Sequence, residues 1–295
     1  MTLLLYCHCC SCRRALVLTS AGSVPSYGGV GQHRYCCGFS GDQNSEWMTL
    51  QAEVNITKTA ANIGFAHWSH DIGGFSGNPT DELYVRWTQF GALSPLYRSH
   101  GTYGSDRMYW HYPSFALMKQ SLQLRATLAP YVYTSAWRAT HSGVGAVHSL
   151  YIDHPLLAEA YDTPSAQISF MHGADLLVRP VVTPVDAAAA AEVGPAPRWQ
   201  TQPLAVWLPP SPTGWVLWNT SALVPGTAAA AATHATLQVT VADLPLFVRG
   251  GAALPLLPAG TLDVTRQVIL NGCLCLLNGC LFLLNGCLCL LNGCC

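Results

Sequence analysis

The chain changes texture near Val147, and that change limits what it can fold into. Before it, short apolar runs at 15–18, 65–68 and 92–97 alternate with helical periodicity at 81–90 and 115–137, with Pro113 near the start of the latter. Strands that alternate with helices build βα units around a parallel sheet. After Val147, β-branched and aromatic runs at 176–182, 206–208, 214–218, 236–241 and 246–248 are separated by Pro and Gly. That spacing belongs to an antiparallel β-sandwich. The expected fold is α/β plus β: an α/β part over 14–146, a β-sandwich part over 147–265, and a low-complexity surface insertion at 186–198.

The two ends differ from this middle. The chain has 13 cysteines, yet none lies from Gly38 to Gly272, so the middle must be held by a hydrophobic core and not by disulfides. Residues 1–13 are cysteine-rich. The cluster Cys7, His8, Cys9, Cys10 and Cys12 suggests zinc, but adjacent ligands fit a tetrahedral site poorly and no second pair follows. The apolar run from Leu3 to Tyr6 precedes Arg13 and Arg14, the reverse of a signal peptide, and the compartment stays open. Residues 266–295 repeat Asn-Gly-Cys every seven residues, from Asn271, Asn278, Asn285 and Asn292. A glycine in each repeat and no charge oppose a coiled coil. The uncharged stretch from Val268 to Cys295 is long enough for a bilayer, but its Asn and Gly content opposes membrane insertion, so it reads as a low-complexity repeat. With 50% hydrophobic and 10% charged residues the chain is not disordered as a whole. A net charge of −1 with scattered basic residues gives no footprint for nucleic acid.

In parallel α/β folds the reactive groups sit in the loops after the strands. Three polar residues hold such places: Asp42 in Gly38-Phe-Ser-Gly-Asp42, Asp71 after Phe65-Ala-His-Trp-Ser-His70, and His100 at the end of Ser94-Pro-Leu-Tyr-Arg-Ser-His100. Phe39, Trp68 and Phe75 surround the two carboxylates in sequence. Paired carboxylates with aromatic faces suit a sugar: acids act on glycosidic oxygen and hydroxyls, and rings stack on pyranoses. On the residues alone a plainer reading stands beside it, in which Asp next to Gly is a turn residue and His a satisfied core group.

The run His70-Asp-Ile-Gly-Gly-Phe-Ser-Gly77 followed by Glu82-Leu-Tyr-Val-Arg-Trp-Thr-Gln-Phe-Gly-Ala-Leu-Ser-Pro-Leu-Tyr-Arg-Ser-His100 resembles glycoside hydrolase family 31, the α-glucosidase and α-xylosidase family. His33-Arg-Tyr-Cys-Cys-Gly-Phe-Ser-Gly-Asp42 upstream agrees in order. So do His172-Gly-Ala-Asp-Leu-Leu-Val-Arg-Pro180, Val206-Trp-Leu-Pro and Leu244-Pro-Leu-Phe-Val-Arg-Gly-Gly-Ala252 downstream. The resemblance covers about residues 14–262 and implies the last strands of a (β/α)8 TIM barrel, a partial barrel, followed by β-sandwich. It implies that Asp42 is the general acid/base and that Asp71 and His100 bind hydroxyls of the sugar in the cleaved position. Phe39 and Phe75 would line the pocket. These three polar residues would follow the sixth, seventh and eighth strands. The implied substrate is an α-glucoside or α-xyloside, and no metal or organic cofactor is implied.

Two departures accompany the resemblance. A retaining enzyme needs a second carboxylate about 5–5.5 Å from the acid/base. In the family that nucleophile ends the fourth strand, and no residue among the 41 ahead of Asp42 matches it. Ser20 stands where the family has a sugar-binding Arg, a loss worth about 1.5–3 kcal/mol. The sequence is thus expected to be a fragment of a retaining α-glycosidase, inactive by itself. The alternative is a non-catalytic carbohydrate-binding pseudoenzyme. Four parallel strands alone also leave an open edge.

Overall fold

The computed structural model describes residues 2–5, 16–20, 37–185, 200–226 and 231–258, and strand segments at 274–279, 281–284 and 287–291. The cluster from Cys7 to Cys12, the 186–198 insertion and the side chain of Ser20 lie outside the described residues.

The first sheet pairs β1 (Thr2–Leu5) antiparallel with β2 (Leu16–Ser20), after which β3 (Cys37–Phe39) and β4 (Trp68–Ser69) join in parallel. The register sets Ser20 opposite Phe39 and Phe39 opposite Ser69, so the carboxyl ends are level. A parallel bridge between Ile72 and Ser99 continues this order. Helix α1 (Trp47–Thr59) and a 3-10 turn (Ala60–Ile63) connect β3 to β4. Helix α2 (Asp81–Ala92) follows, with Thr80 Oγ1 accepting the Leu83 N–H as its N-cap and two acids in its first turn. Helices α3 (Phe115–Thr127) and α4 (Ala129–Ser142) complete the α/β part.

The β part begins with β5 (Val147–Ser149), three short helices α5 (Leu150–Asp153), α6 (Glu159–Asp162) and α7 (Pro164–Ile168), then β6 (Phe170–His172) and β7 (Leu176–Val178). It continues with β8 (Gln202–Leu208), β9 (Trp215–Leu217), β10 (Leu223–Val224), β11 (Thr233–Val239) and β12 (Leu246–Arg249). Six of these form one antiparallel sheet in the order β10-β9-β12-β7-β6-β5, while β8 and β11 form a separate antiparallel ribbon. Then β13 (Leu254–Leu256), β14 (Leu274–Gly279), β15 (Leu281–Leu284) and β16 (Cys287–Leu291) form a small sheet, so the described tail segments are strands. No helix among the described residues is long and apolar enough to cross a membrane.

Successive side chains of a strand face opposite sides, and the sheet uses both. Leu176, Val178, Leu246 and Val248 join the core shared with α1 to α4, while Leu177 and Phe247 join a second core against the β8–β11 ribbon. This is why these runs are apolar at every position and not alternating. Every residue of α2 is buried. Arg86 donates to Asp243 O at 2.9 Å and Thr240 O at 3.0 Å, and Gln89 Nε2 to Val241 O at 2.9 Å, which pins the helix to the sandwich.

Three expectations need correction. Residues 92–97 are not a strand: α2 runs through Ala92, Pro95 has no N–H for a ladder, and Arg125 Nη1 caps the carbonyls of Ala92 and Ser94 at 2.9 and 2.7 Å. The helical stretch 115–137 is two helices, because Pro130 starts a new one after Leu128. The 65–68 strand pairs only from Trp68. Helix α1 and strands β5 and β6 were not anticipated.

Candidate active site

Three loops are laced together at the carboxyl ends of β3 and β4. Phe75 N and Ser76 N donate to Gln43 O at 2.6 and 3.0 Å, Ser45 N donates to Ser76 O at 3.0 Å, Ile72 N to Arg98 O at 3.1 Å, and Thr102 N to Phe75 O at 2.8 Å. The loops carrying Asp42, Asp71 and His100 are thereby one unit. Arg107 closes it: its guanidinium donates to Gly74 O at 2.6 Å and Gly77 O at 2.8 Å, and to Ser45 Oγ at 3.1 Å. Gly74 has φ +81°, and a Cβ there would lie 2.7 Å from Ser45 N, so only glycine allows this approach.

Within this frame Asp71 is 1% exposed and its Oδ1 accepts from Arg98 Nη2. Burial pushes its carboxyl above the ordinary value; Arg98 and His100 oppose that, and the charge of Asp42 adds to it. The four groups therefore share one electrostatic neighbourhood. Arg98 also lies over the Phe39 ring at 4.9 Å, a cation–π contact that ties β3 to the Asp71 loop. Phe75 and His100 form a tilted pair with centroids 5.4 Å apart. Asp42 is exposed, while Phe39, Phe75 and His100 are half-buried. The result is an open carboxylate beside a buried, arginine-anchored one, with an aromatic and imidazole wall.

Not every candidate reaches this place. Trp68 is 4% exposed and packs edge-on to Phe65 at 5.7 Å and against Gly38, where an added Cβ would meet its ring at 2.8 Å. It has no free face for a sugar; it fills the space under β3. His70 is likewise structural. Its Nδ1 accepts the Trp87 indole N–H at 3.1 Å, which leaves Nε2–H to donate to Ser94 Oγ at 2.9 Å, and its ring stacks on Phe90 at 4.6 Å. Burial, helped by the charges of Arg98 and Arg125, holds it down to about 3, so it stays neutral and fixes the chain entering Asp71.

Two arginines and one acid escaped the sequence reading. Arg98 lies two residues before His100, the spacing that shares a face on an extended chain, and that signal was available. Arg107 carries no local sign of its clamp. Glu53, buried on α1, is pushed up to about 8 by burial, against the hydrogen-bonding influence of Ser40 and with a contribution from Asp71. Among the described residues no three His, Cys, Asp or Glu side chains gather as a metal site requires.

The Glycosyl hydrolases family 31 TIM-barrel domain model matches residues 21–135, and the Glycosyl hydrolase family 31 C-terminal domain model matches residues 143–254. Neutral alpha-glucosidase C of Mus musculus is 29% identical over 229 residues, which is 77% of this chain and 23% of that protein. The alpha-xylosidase of Saccharolobus solfataricus is 29% identical over 253 residues, 83% of this chain and 30% of its own length. A dextranase of Flavobacterium johnsoniae complexed with glucose superposes with a TM-score of 0.66 at 25% identity, covering 82% of this chain and 28% of the other. The chain thus spans under a third of the length of these relatives. With barrel and C-terminal models matching side by side and in order, the chain belongs to glycoside hydrolase family 31.

Proposed function

We propose that this chain is the acid/base-bearing portion of a retaining α-glycosidase, with residues 14–146 contributing the last barrel strands and 147–265 the β-sandwich. The lacing of the three loops around Asp42, Asp71 and His100 is the observation that carries the reading. Asp42 is the exposed member and acts as general acid/base. Asp71 and His100 accept and donate hydrogen bonds to sugar hydroxyls, and Phe39 and Phe75 line the pocket. Asp71 is a poor nucleophile, since Arg98 occupies its Oδ1 and the side chain is buried.

In the first half-reaction an upstream carboxylate attacks the anomeric carbon while Asp42 gives its proton to the leaving oxygen, so the C–O bond breaks and a glycosyl ester forms. In the second, the Asp42 carboxylate takes a proton from water, whose oxygen displaces the ester and restores both groups. The names of the relatives support an α-glucoside or α-xyloside as substrate.

The 295-residue chain is expected to show no hydrolysis of an aryl α-glucoside, and turnover would sink the assignment of the nucleophile to another segment. In the protein of the complete transcript, Asp42→Asn should abolish maltose cleavage but spare the first-turnover release of fluoride from α-glucosyl fluoride, whose leaving group needs no proton; the ester then accumulates because the attacking water lacks its base, and added azide should release it. Loss of the fluoride burst together with maltose cleavage removes the acid/base role. If the complete protein hydrolyses neither substrate yet binds glucose, the pseudoenzyme reading replaces this one.

A further inference from the structure

A cavity of about 510 Å³ opens between α4, the loop to β5, and the β6–β7 turn. It is lined by Trp137, Arg138, His141, Val144, His148 and Asp153, among others. It lies about 20 Å from the Asp42 loop: α1 begins beside that loop and rises 1.5 Å per residue through its 13 residues to the turn holding Ala61, which abuts Gly145 at the cavity. The volume is in the ~300–1,000 Å³ range of small-ligand pockets.

We propose that this cavity is a second carbohydrate site, separate from the Asp42 mouth, that takes a neutral oligosaccharide of glucose-like units. Trp137 is 55% exposed and its ring is held by His141, whose ring centroid is 4.1 Å away and whose Nδ1 lies 2.9 Å from Trp137 O. A fixed indole with an open side is a stacking platform for the slightly positive C–H face of a pyranose. Asp153 supplies the hydroxyl acceptor. His148 is buried with its ring nitrogens 2.8 Å from Gly145 O and 3.2 Å from Asp153 Oδ2, and this locks the carboxylate. No hydrogen bond among the described residues engages Asp153 Oδ1, and its side chain is part-exposed. Arg138, also in the lining, supplies donors. A pyranose presents its apolar face to the Trp137 indole and its hydroxyls to Asp153 and Arg138, so the lining matches a neutral sugar.

The test is a maltose and isomaltose titration of the full chain carrying Asp71→Asn, followed by saturation-transfer NMR, so that the mouth and the cavity are read separately. Saturable binding is expected in that background, weakened at least tenfold by either Trp137→Ala or Asp153→Asn. Absence of saturable binding, or unchanged affinity in both variants, overturns the proposal. Tighter binding of glucose 6-phosphate than of maltose overturns the neutral ligand class. Trp137 is half-exposed and Asp153→Asn is isosteric, so the two variants report on binding through different chemistry. Neither result depends on whether Asp42 is an acid/base.

Discussion

Replacing Glu53 by Gln should stabilise the protein, and by an amount that depends on pH. Glu53 shares the buried face of α1 with Leu50, Val54, Thr57 and Lys58, is 1% exposed, and Ser40 is the one neighbour that favours its charged form, too weakly to offset burial. Lys58, five residues on, is engaged by Gln167 O and is not among the groups acting on the Glu53 carboxyl. Burial moves the carboxyl from 4.5 to about 8. In the folded protein Glu53 therefore keeps its proton where the unfolded chain has lost it. Below pH 4.5 both states are protonated and nothing is lost; as pH rises to about 8 stability falls, because the folded state binds the extra proton. At 1.36 kcal/mol per unit the total is about 5 kcal/mol. Gln keeps the neutral shape and has no such loss. The two proteins should have similar thermal midpoints at pH 5, and at pH 8.5 the variant should melt about 10–20 °C higher, using ~2–4 °C per kcal/mol. His70 and His172, held to about 3 and 4 by burial, act in the opposite sense below pH 6.5 but are common to both proteins and cancel in the difference. Scanning calorimetry at half-unit steps of pH provides the curve. A midpoint difference that does not change between pH 5 and 8.5 would refute the buried-acid account.

The remaining predictions concern the loop frame. Arg98→Met leaves Asp71 buried without its cation and should cost about 3–5 kcal/mol at neutral pH. Urea midpoints should recover part of that loss at pH 4, where Asp71 can take a proton; an equal loss at both pH values contradicts it. Gly74→Ala combines a positive φ with backbone atoms at 2.7–2.8 Å and should cost about 3 kcal/mol or more. Gly64→Ala, at φ +90° with nothing within 4 Å, should cost only about 1 kcal/mol, so equal urea midpoints for the two variants would remove the close-approach argument.

The sequence announced the elements whose local chemistry agrees with their environment. Thr80 with Asp81 and Glu82 marks the start of α2, and the continuous apolar runs 176–178 and 246–248 mark strands buried on both faces. Helix α1 stayed hidden because its inward face carries Glu53, Thr57 and Lys58, so Leu50 and Val54 alone keep the apolar period. Strands β5 and β6 are three residues each and include His and Ser, too short for any period. The 92–97 run is apolar but is the end of a helix, a distinction that length and Pro95 settle better than hydropathy. At the site the ends of β3 and β4 point to Asp42 and Asp71, whereas His100 follows the 92–97 run that is no strand, and the gathering of the three depends on backbone hydrogen bonds between loops far apart in sequence, which side-chain identity does not encode. Trp68 shows the converse: an aromatic in a promising loop can be spent on packing under a glycine.

The most direct test is to trap the glycosyl ester. Protein translated from the complete transcript would be treated with 5-fluoro-α-glucosyl fluoride, digested, and the labelled peptide sequenced by mass spectrometry. The account predicts a single adduct on an Asp upstream of Leu16, formed also in Asp42→Asn. An adduct on Asp42 or Asp71, or none with active protein, would contradict it.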